Sequence, residues 1–259
     1  MLFATVIAIG GLATDPAPTL AAGKKVVVVV GPVGSKTAEY KDAARRYASV
    51  ARGYGANVIE IYSPNATWSK VKANAQGANI LIYLGHGNGW PSPYGSFQRY
   101  TKDGFGLNRT AGDGNSNVKY WGEYYIDRDI QMAPNAVVIL ARLCYASGNS
   151  EWGRPNPTKS TAIKRVDNYG AGFLRAGAKA VFAEGITSAS YIIKNLFTSN
   201  KTMKEIFWAS PNRTVSYRIG FTSSRTTGMT AQMDPYKPSR YYRSVIGKLT
   251  VTAAQWRDS

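Results

Sequence analysis

The sequence predicts an α/β protein, a three-layer sandwich with a mostly parallel sheet and helices on both faces. Three observations carry this expectation. Short continuous apolar runs recur along the chain, among them KKVVVVVG, NVIEIY, ILIYL and AVVIL. Strands that are apolar on both sides belong in a sheet covered on both faces. Segments of helical spacing lie between these runs, and that alternation builds parallel strands joined by crossover helices.

The first strand is read over Lys24–Gly31. Ser35–Tyr54 follows as a helix, with Ala43, Tyr47, Val50, Ala51 and Tyr54 at helical spacing, Ser35 as its N-cap and Gly55 as its stop. A second strand covers Asn57–Tyr62. A short helix over Thr67–Ala75 leads into a third strand, Asn79–Leu84. Residues 85–118, rich in Gly, Pro, Asn and Tyr, read as one long loop. After the mixed segment KYWGEYYIDRDIQM comes a fourth strand, Ala136–Leu140. A helix over Thr161–Ala176 and a fifth strand, Lys179–Ala183, follow. Two further helices are expected at Ala189–Phe197 and Thr202–Ala209. The remainder is weakly patterned, with a late strand near Ser244–Val251.

Composition bounds what this fold can do. Hydrophobic residues make up 44% and charged residues 18%, as in a globular chain. The net charge of +17 favours polyanions, and an anionic cell-surface polymer is a candidate partner. No dense run of Lys or Arg and no nucleic-acid motif is present, so no specific nucleic-acid partner is expected. One cysteine excludes an internal disulfide and cysteine-rich zinc sites, and one histidine excludes HExxH. The chemistry expected here needs no metal and no cofactor.

The apolar stretch Leu2–Ala13, the Pro-rich residues after it and the small residues Leu20-Ala21-Ala22 read as a secretory signal peptide over residues 1–22, although a basic n-region is lacking. The stretch is too short to span a bilayer. A secreted or cell-surface location follows from this reading. A free thiol is uncommon in such an oxidising place unless it has a task.

Two motifs are decoys. VVVVVGPVGSKT resembles a strand entering a P-loop, but Ser35 precedes Lys36 where the pattern requires glycine, and the loop is one residue short. Asp113, Asn115 and Asn117 begin a calcium-loop spacing, but Val118 replaces the turn glycine and Tyr124 the closing glutamate. No GxSxG nucleophile elbow occurs.

There remain His86, the only histidine, and Cys144, the only cysteine. Each follows an apolar strand and precedes a glycine-bearing loop, and ligand sites in such sheets form at the carboxyl ends of strands. A thiolate attacks carbonyls well. A neighbouring imidazole can take the thiol proton and later protonate the leaving amine. Amides at a glycine turn can bind the oxyanion. If the two residues act together, the third and fourth strands must be neighbours.

The pieces ILIYLGHG and VVILARLC, 58 positions apart from His to Cys, resemble the caspase–gingipain–clostripain group of cysteine peptidases. AGFLRAGAKAVFAEG and KTMKEIFWAS resemble the following helix, strand and helix of its gingipain-like branch. The resemblance implies a caspase-like catalytic domain over residues 23–210, with 211–259 as a C-terminal extension packed on it. It implies an exported cysteine-type endopeptidase acting on protein or peptide substrates. Cys144 is then the nucleophile, His86 the general acid/base, and the amides of Gly87 and Cys144 the oxyanion hole. Arg142 and Leu143 depart from the family, where Ala preceded by an acidic residue or Gln is common before the cysteine. Arg142 either helps hold a thiolate or, lacking negative charge, alters the substrate pocket. Glu151, Asp103 and Asp113 are candidate substrate-pocket carboxylates that would favour a basic substrate side chain. The alternative is a non-catalytic cell-surface or polyanion-binding protein that retains a caspase-like fold.

Overall fold

A computed structural model describes residues 23–259, and the expected signal segment lies outside the described residues. Along the chain the elements are β1 (Lys25–Val30), α1 (Thr37–Gly53), β2 (Asn57–Tyr62), α2 (Trp68–Ala75), β3 (Ile80–Leu84), β4 (Phe105–Asn108), β5 (Val118–Trp121), α3 (Glu123–Asp129) and β6 (Val137–Ala141). Then come α4 (Lys159–Arg175), β7 (Ala180–Glu184), α5 (Ser190–Thr198), α6 (Met203–Trp208), β8 (Ile219–Thr222), β9 (Thr230–Met233), β10 (Arg243–Gly247) and α7 (Ala253–Arg257).

Eight strands form one sheet in the order β2-β1-β3-β6-β7-β10-β9-β8. The first five are parallel, and β10, β9 and β8 run antiparallel to their neighbours. The expected three-layer α/β class is what the molecule has. Side-chain alternation along each strand divides the core in two. Val27, Val29, Leu81, Tyr83, Val138 and Leu140 face the layer built from α2, α3 and α4. Val26, Val28, Val30, Ile80, Ile82 and Ile139 face α1, α5, α6 and α7. Four of the five apolar runs, β1, β3, β6 and β7, are therefore strands buried on both faces, while β2, at the sheet edge, is only partly buried.

The differences from expectation are local. α1 begins at Thr37, after a 3-10 turn over Gly34–Lys36, so Ser35 is not its cap. Thr37 closes the turn instead: its hydroxyl donates to the Gly34 carbonyl at 2.8 Å and accepts from the Val33 amide at 3.0 Å. The long segment after β3 is not all loop. Its β4 and β5 pair as an antiparallel hairpin, too short to show a period in sequence. The hairpin lies on the end of β1, where a Cβ on Gly31 would sit 2.1 Å from the Gly106 carbonyl oxygen. The late strand β10 is shorter than expected, and the chain turns away at Lys248. With β8 and β9, which the sequence pattern does not reveal, it continues the main sheet.

Candidate active site

β3 and β6 lie side by side in mid-sheet, parallel and in register from Ile80↔Val137 to Leu84↔Ala141. Their carboxyl ends therefore open together. His86 lies two residues beyond β3, and Cys144 three beyond β6. This is the neighbour relation that a joint role requires.

The two loops pack backbone to backbone. A Cβ on Gly87 would lie 2.0 Å from the Cys144 carbonyl oxygen and 3.0 Å from its amide nitrogen. A Cβ on Gly89 would lie 2.3 Å from the Tyr145 Cβ. Only glycine permits this approach at either position. The loop on the histidine side is tied down by Tyr83, whose buried hydroxyl accepts from the Gly106 amide at 2.8 Å. The same hydroxyl lies 3.0 Å from the His86 carbonyl oxygen and 2.9 Å from that of Gly106.

The cysteine loop is a tight, strained turn. Arg142 and Tyr145 adopt φ of 62° and 69°, uncommon for residues other than glycine. The Arg142 amide donates to the Glu184 carbonyl at 2.8 Å, and the Ala146 amide to the Cys144 carbonyl at 2.9 Å. Among the described residues neither the Gly87 nor the Cys144 amide donates to a protein acceptor. The Arg142 side chain is turned outward, ion-paired with Glu39 and 5.6 Å over the Tyr40 ring. It is committed there rather than to the thiol.

Cys144 is half-buried and unbridged. Burial first, and then the charge of Glu151, push its thiol up to about 11, while the Trp152 backbone and the Arg165 charge pull the other way. Burial draws the His86 imidazole below its ordinary value, and Glu151 partly opposes that. At neutral pH the site rests as thiol and neutral imidazole.

Two concavities meet here. One of about 620 Å³ is lined by His86, Gly87, Asn88, Lys102 and Tyr120. The other, of about 520 Å³, is lined by Cys144, Tyr40, Arg142, Asn149, Trp152 and Tyr242. Glu151 borders both. Its two carboxylate oxygens accept from the Tyr94 and Tyr145 hydroxyls, each at 2.8 Å. Lys102, on the histidine side, donates its ammonium to Asn88 Oδ1 at 2.8 Å and Ser92 Oγ at 3.1 Å, and its burial lowers its pKa.

The other two candidate carboxylates do not join this group. Asp103 is fully buried; its Oδ1 accepts from the Trp90 amide at 3.0 Å and its Oδ2 has no partner. Burial raises its pKa well above its ordinary value, and its side chain is closed off from any ligand. It holds the histidine loop instead, since its own amide donates to the Asn88 carbonyl at 2.9 Å. Asp113 is half-buried and closes a turn, accepting from the Thr110 amide at 2.9 Å and from Asn117 Nδ2 at 3.0 Å. Both are near Glu151 only in the sense that all three lie in loops. Asn115, of the incomplete calcium spacing, accepts from Ser63 Oγ at 3.0 Å. Among the described residues no group of three or more His, Cys, Asp and Glu could hold a metal ion, and no helix is long and apolar enough to cross a membrane.

Sequence reasoning missed Tyr83, Tyr94, Tyr145 and Lys102, which shape the site from loops and strand ends. It also missed Arg165 of α4, whose place on a buried helix face breaks the apolar pattern of its neighbours Ala162, Val166 and Tyr169. No family model matches the chain, and no curated protein matches it. Among solved structures, it is similar to a secreted C11 cysteine protease from Bacteroides thetaiotaomicron in complex with an irreversible peptide inhibitor, at 10% identity and a TM-score of 0.41. The match covers 82% of this chain and 66% of that one, so the chain spans just under two thirds of that protein's length. Nothing about activity follows from a likeness of this degree.

Proposed function

We propose that the chain is an exported cysteine peptidase that hydrolyses peptide bonds through Cys144 and His86. The observation that carries this reading is the seating of Gly87 against the Cys144 backbone. It brings the backbones of the His86 and Cys144 loops together, at the adjoining carboxyl ends of two central strands. Residues 23–210 would then form the catalytic unit, with 211–259 as the extension that completes the sheet.

Because the pair rests neutral, attack and proton transfer go together. The Cys144 sulfur adds to the peptide carbonyl carbon as its proton passes to His86. The carbonyl oxygen becomes an oxyanion, received by the amides of Gly87 and Cys144. His86 then gives its proton to the leaving nitrogen, the C–N bond breaks, and a thioester remains. Water, deprotonated by His86, adds to the thioester carbonyl. The sulfur leaves, takes the proton back, and restores the thiol. Glu151, between the two concavities, would favour a basic substrate side chain if substrate displaces one of its tyrosines.

One observation favours a second reading. His86 and Cys144 open into separate concavities, with Glu151 between them and the Trp152 backbone against the sulfur. A non-catalytic, polyanion-binding protein with the same fold would tolerate that separation. Incubation of wild type and Cys144→Ala with a peptide library distinguishes the two. Cleavage by wild type alone supports the peptidase. No cleavage by either, together with alkylation of Cys144 no faster than that of a simple buried thiol, removes it.

A further inference from the structure

Arg165 sits on α4 with 6% of its surface exposed, and no carboxylate ion-pairs with it among the described residues. A buried cation without a direct ion pair is costly, so what it does hold is informative. Its Nε donates to the Pro91 carbonyl at 2.7 Å. One terminal nitrogen donates to the Asn149 carbonyl at 2.8 Å and to Ser150 Oγ at 3.1 Å. The guanidinium lies 4.7 Å over the ring of Tyr145. Pro91 belongs to the loop that begins at His86. Tyr145, Asn149 and Ser150 belong to the loop that begins at Cys144. One turn further along the helix, Asn168 Nδ2 donates to the Trp90 carbonyl at 2.9 Å and adds a second hold on the histidine loop.

We infer that Arg165 is a positioning residue that fixes the His86 loop and the Cys144 loop in one relation, its guanidinium serving both as a shared donor. The inference rests on the reading that these two residues work together. The chemistry explains why the residue is arginine. A planar fork offers donors in several fixed directions at once and stacks on an aromatic face, whereas an ammonium does neither. The rigid helix supplies a reference that neither loop has alone. Ser150 and Asn149 flank Glu151 on one side, so the same clasp sets where the carboxylate between the two concavities stands.

The test uses the full chain and two substitutions, Arg165→Met and Arg165→Lys. Hydrogen exchange is followed at the Trp90 amide, held by Asp103, and at the Ala146 and Gly148 amides, held within the cysteine turn. Both groups should lose protection together in Arg165→Met, while the amides of β1 and β3 keep theirs. Arg165→Lys, which retains the charge but not the fork, should recover little. Where wild type cleaves peptides, Arg165→Met should lower kcat about 10- to 100-fold with KM nearly unchanged, as displaced reacting groups do. Loosening of one loop only, of neither, or of the whole sheet overturns the inference, as does full rescue by lysine. If both loops loosen together but wild type cleaves nothing, the positioning role stands and the peptidase reading fails.

Discussion

Arg243 and Arg165 are both buried, at 2% and 6% exposure, in different company. Arg243 lies on β10, at the join between the parallel and antiparallel parts of the sheet. Its Nε donates to both oxygens of Glu184 at 3.1 Å, and a terminal nitrogen pairs with Asp234. Its remaining donors meet the Phe207 carbonyl at 2.7 Å and the Tyr191 hydroxyl at 3.1 Å. Asp234 in turn receives the Thr214 and Val215 amides at 3.0 and 2.9 Å. One cation is shared by two carboxylates, and the elements around it are anchored. Arg165 is met only by neutral acceptors, on two loops that carry the candidate chemistry. The contrast separates what the molecule closes from what it leaves open: two carboxylates ion-pair with the arginine that joins strands, whereas the arginine that joins the two loops has no ion pair among the described residues and the nearby Glu151 is held by tyrosine hydroxyls.

The contrast breaks most sharply at Arg243. Arg243→Met strands two carboxylates in the core, and loss of one partner from a buried pair costs about 3–5 kcal/mol. Urea denaturation should show that loss in the midpoint. The double variant Arg243→Met with Glu184→Gln should recover part of it, because one orphaned charge is gone. Equal stability of wild type and Arg243→Met would mean that the join does not depend on this network.

A second prediction concerns glycine in the open region against glycine in a closed one. A Cβ on Gly87 would collide with the Cys144 carbonyl, and backbone cannot yield cheaply. Gly87→Ala should cost about 1–3 kcal/mol, in the range of overpacked cores, and should change the alkylation rate of Cys144. Gly53, at the end of α1, has open space where a Cβ would be. Gly53→Ala should be neutral or stabilise by about 0.4–1 kcal/mol and leave the thiol untouched. Parallel denaturation and alkylation of the two variants makes the comparison.

How much of this could be read in the residues follows the same division. β1, β3, β6 and β7 are apolar on both faces and announce themselves as buried parallel strands. β4, β5, β8 and β9 are four residues each, carry mixed polarity, and draw their stability from partners far off in sequence. His86 and Cys144 were legible because the strands before them are. Asp103 and Asp113 were not separable from Glu151, since only three-dimensional packing sends one into the core and another to a distant turn. Arg165 lay hidden because helical periodicity reports which face is buried and says nothing of what that face holds.

The smallest effect sought is electrostatic, at Glu151. Its charge raises the pKa of both His86 and Cys144, secondary for each to burial. Glu151→Gln removes the charge but keeps an oxygen for the tyrosine hydroxyls, so the fold should change little. Without the charge, the thiolate is less disfavoured, and the thiol should titrate below its wild-type midpoint of about 11. Iodoacetamide alkylation at a fixed pH near 9 should therefore quicken, severalfold at most. The imidazole moves the other way in availability, since its protonated form loses a nearby anion and is populated only at lower pH. Linkage gives the matching stability test. A thiol whose folded pKa exceeds its unfolded value of about 8.5 keeps its full contribution below that pH and loses it as pH climbs toward the folded value. The alkaline loss of stability should begin at the same pH in both proteins but level off at a lower pH in Glu151→Gln. An unchanged alkylation profile would show that the carboxylate between the two concavities does not act on the sulfur, and would leave it only its hydrogen bonds to Tyr94 and Tyr145.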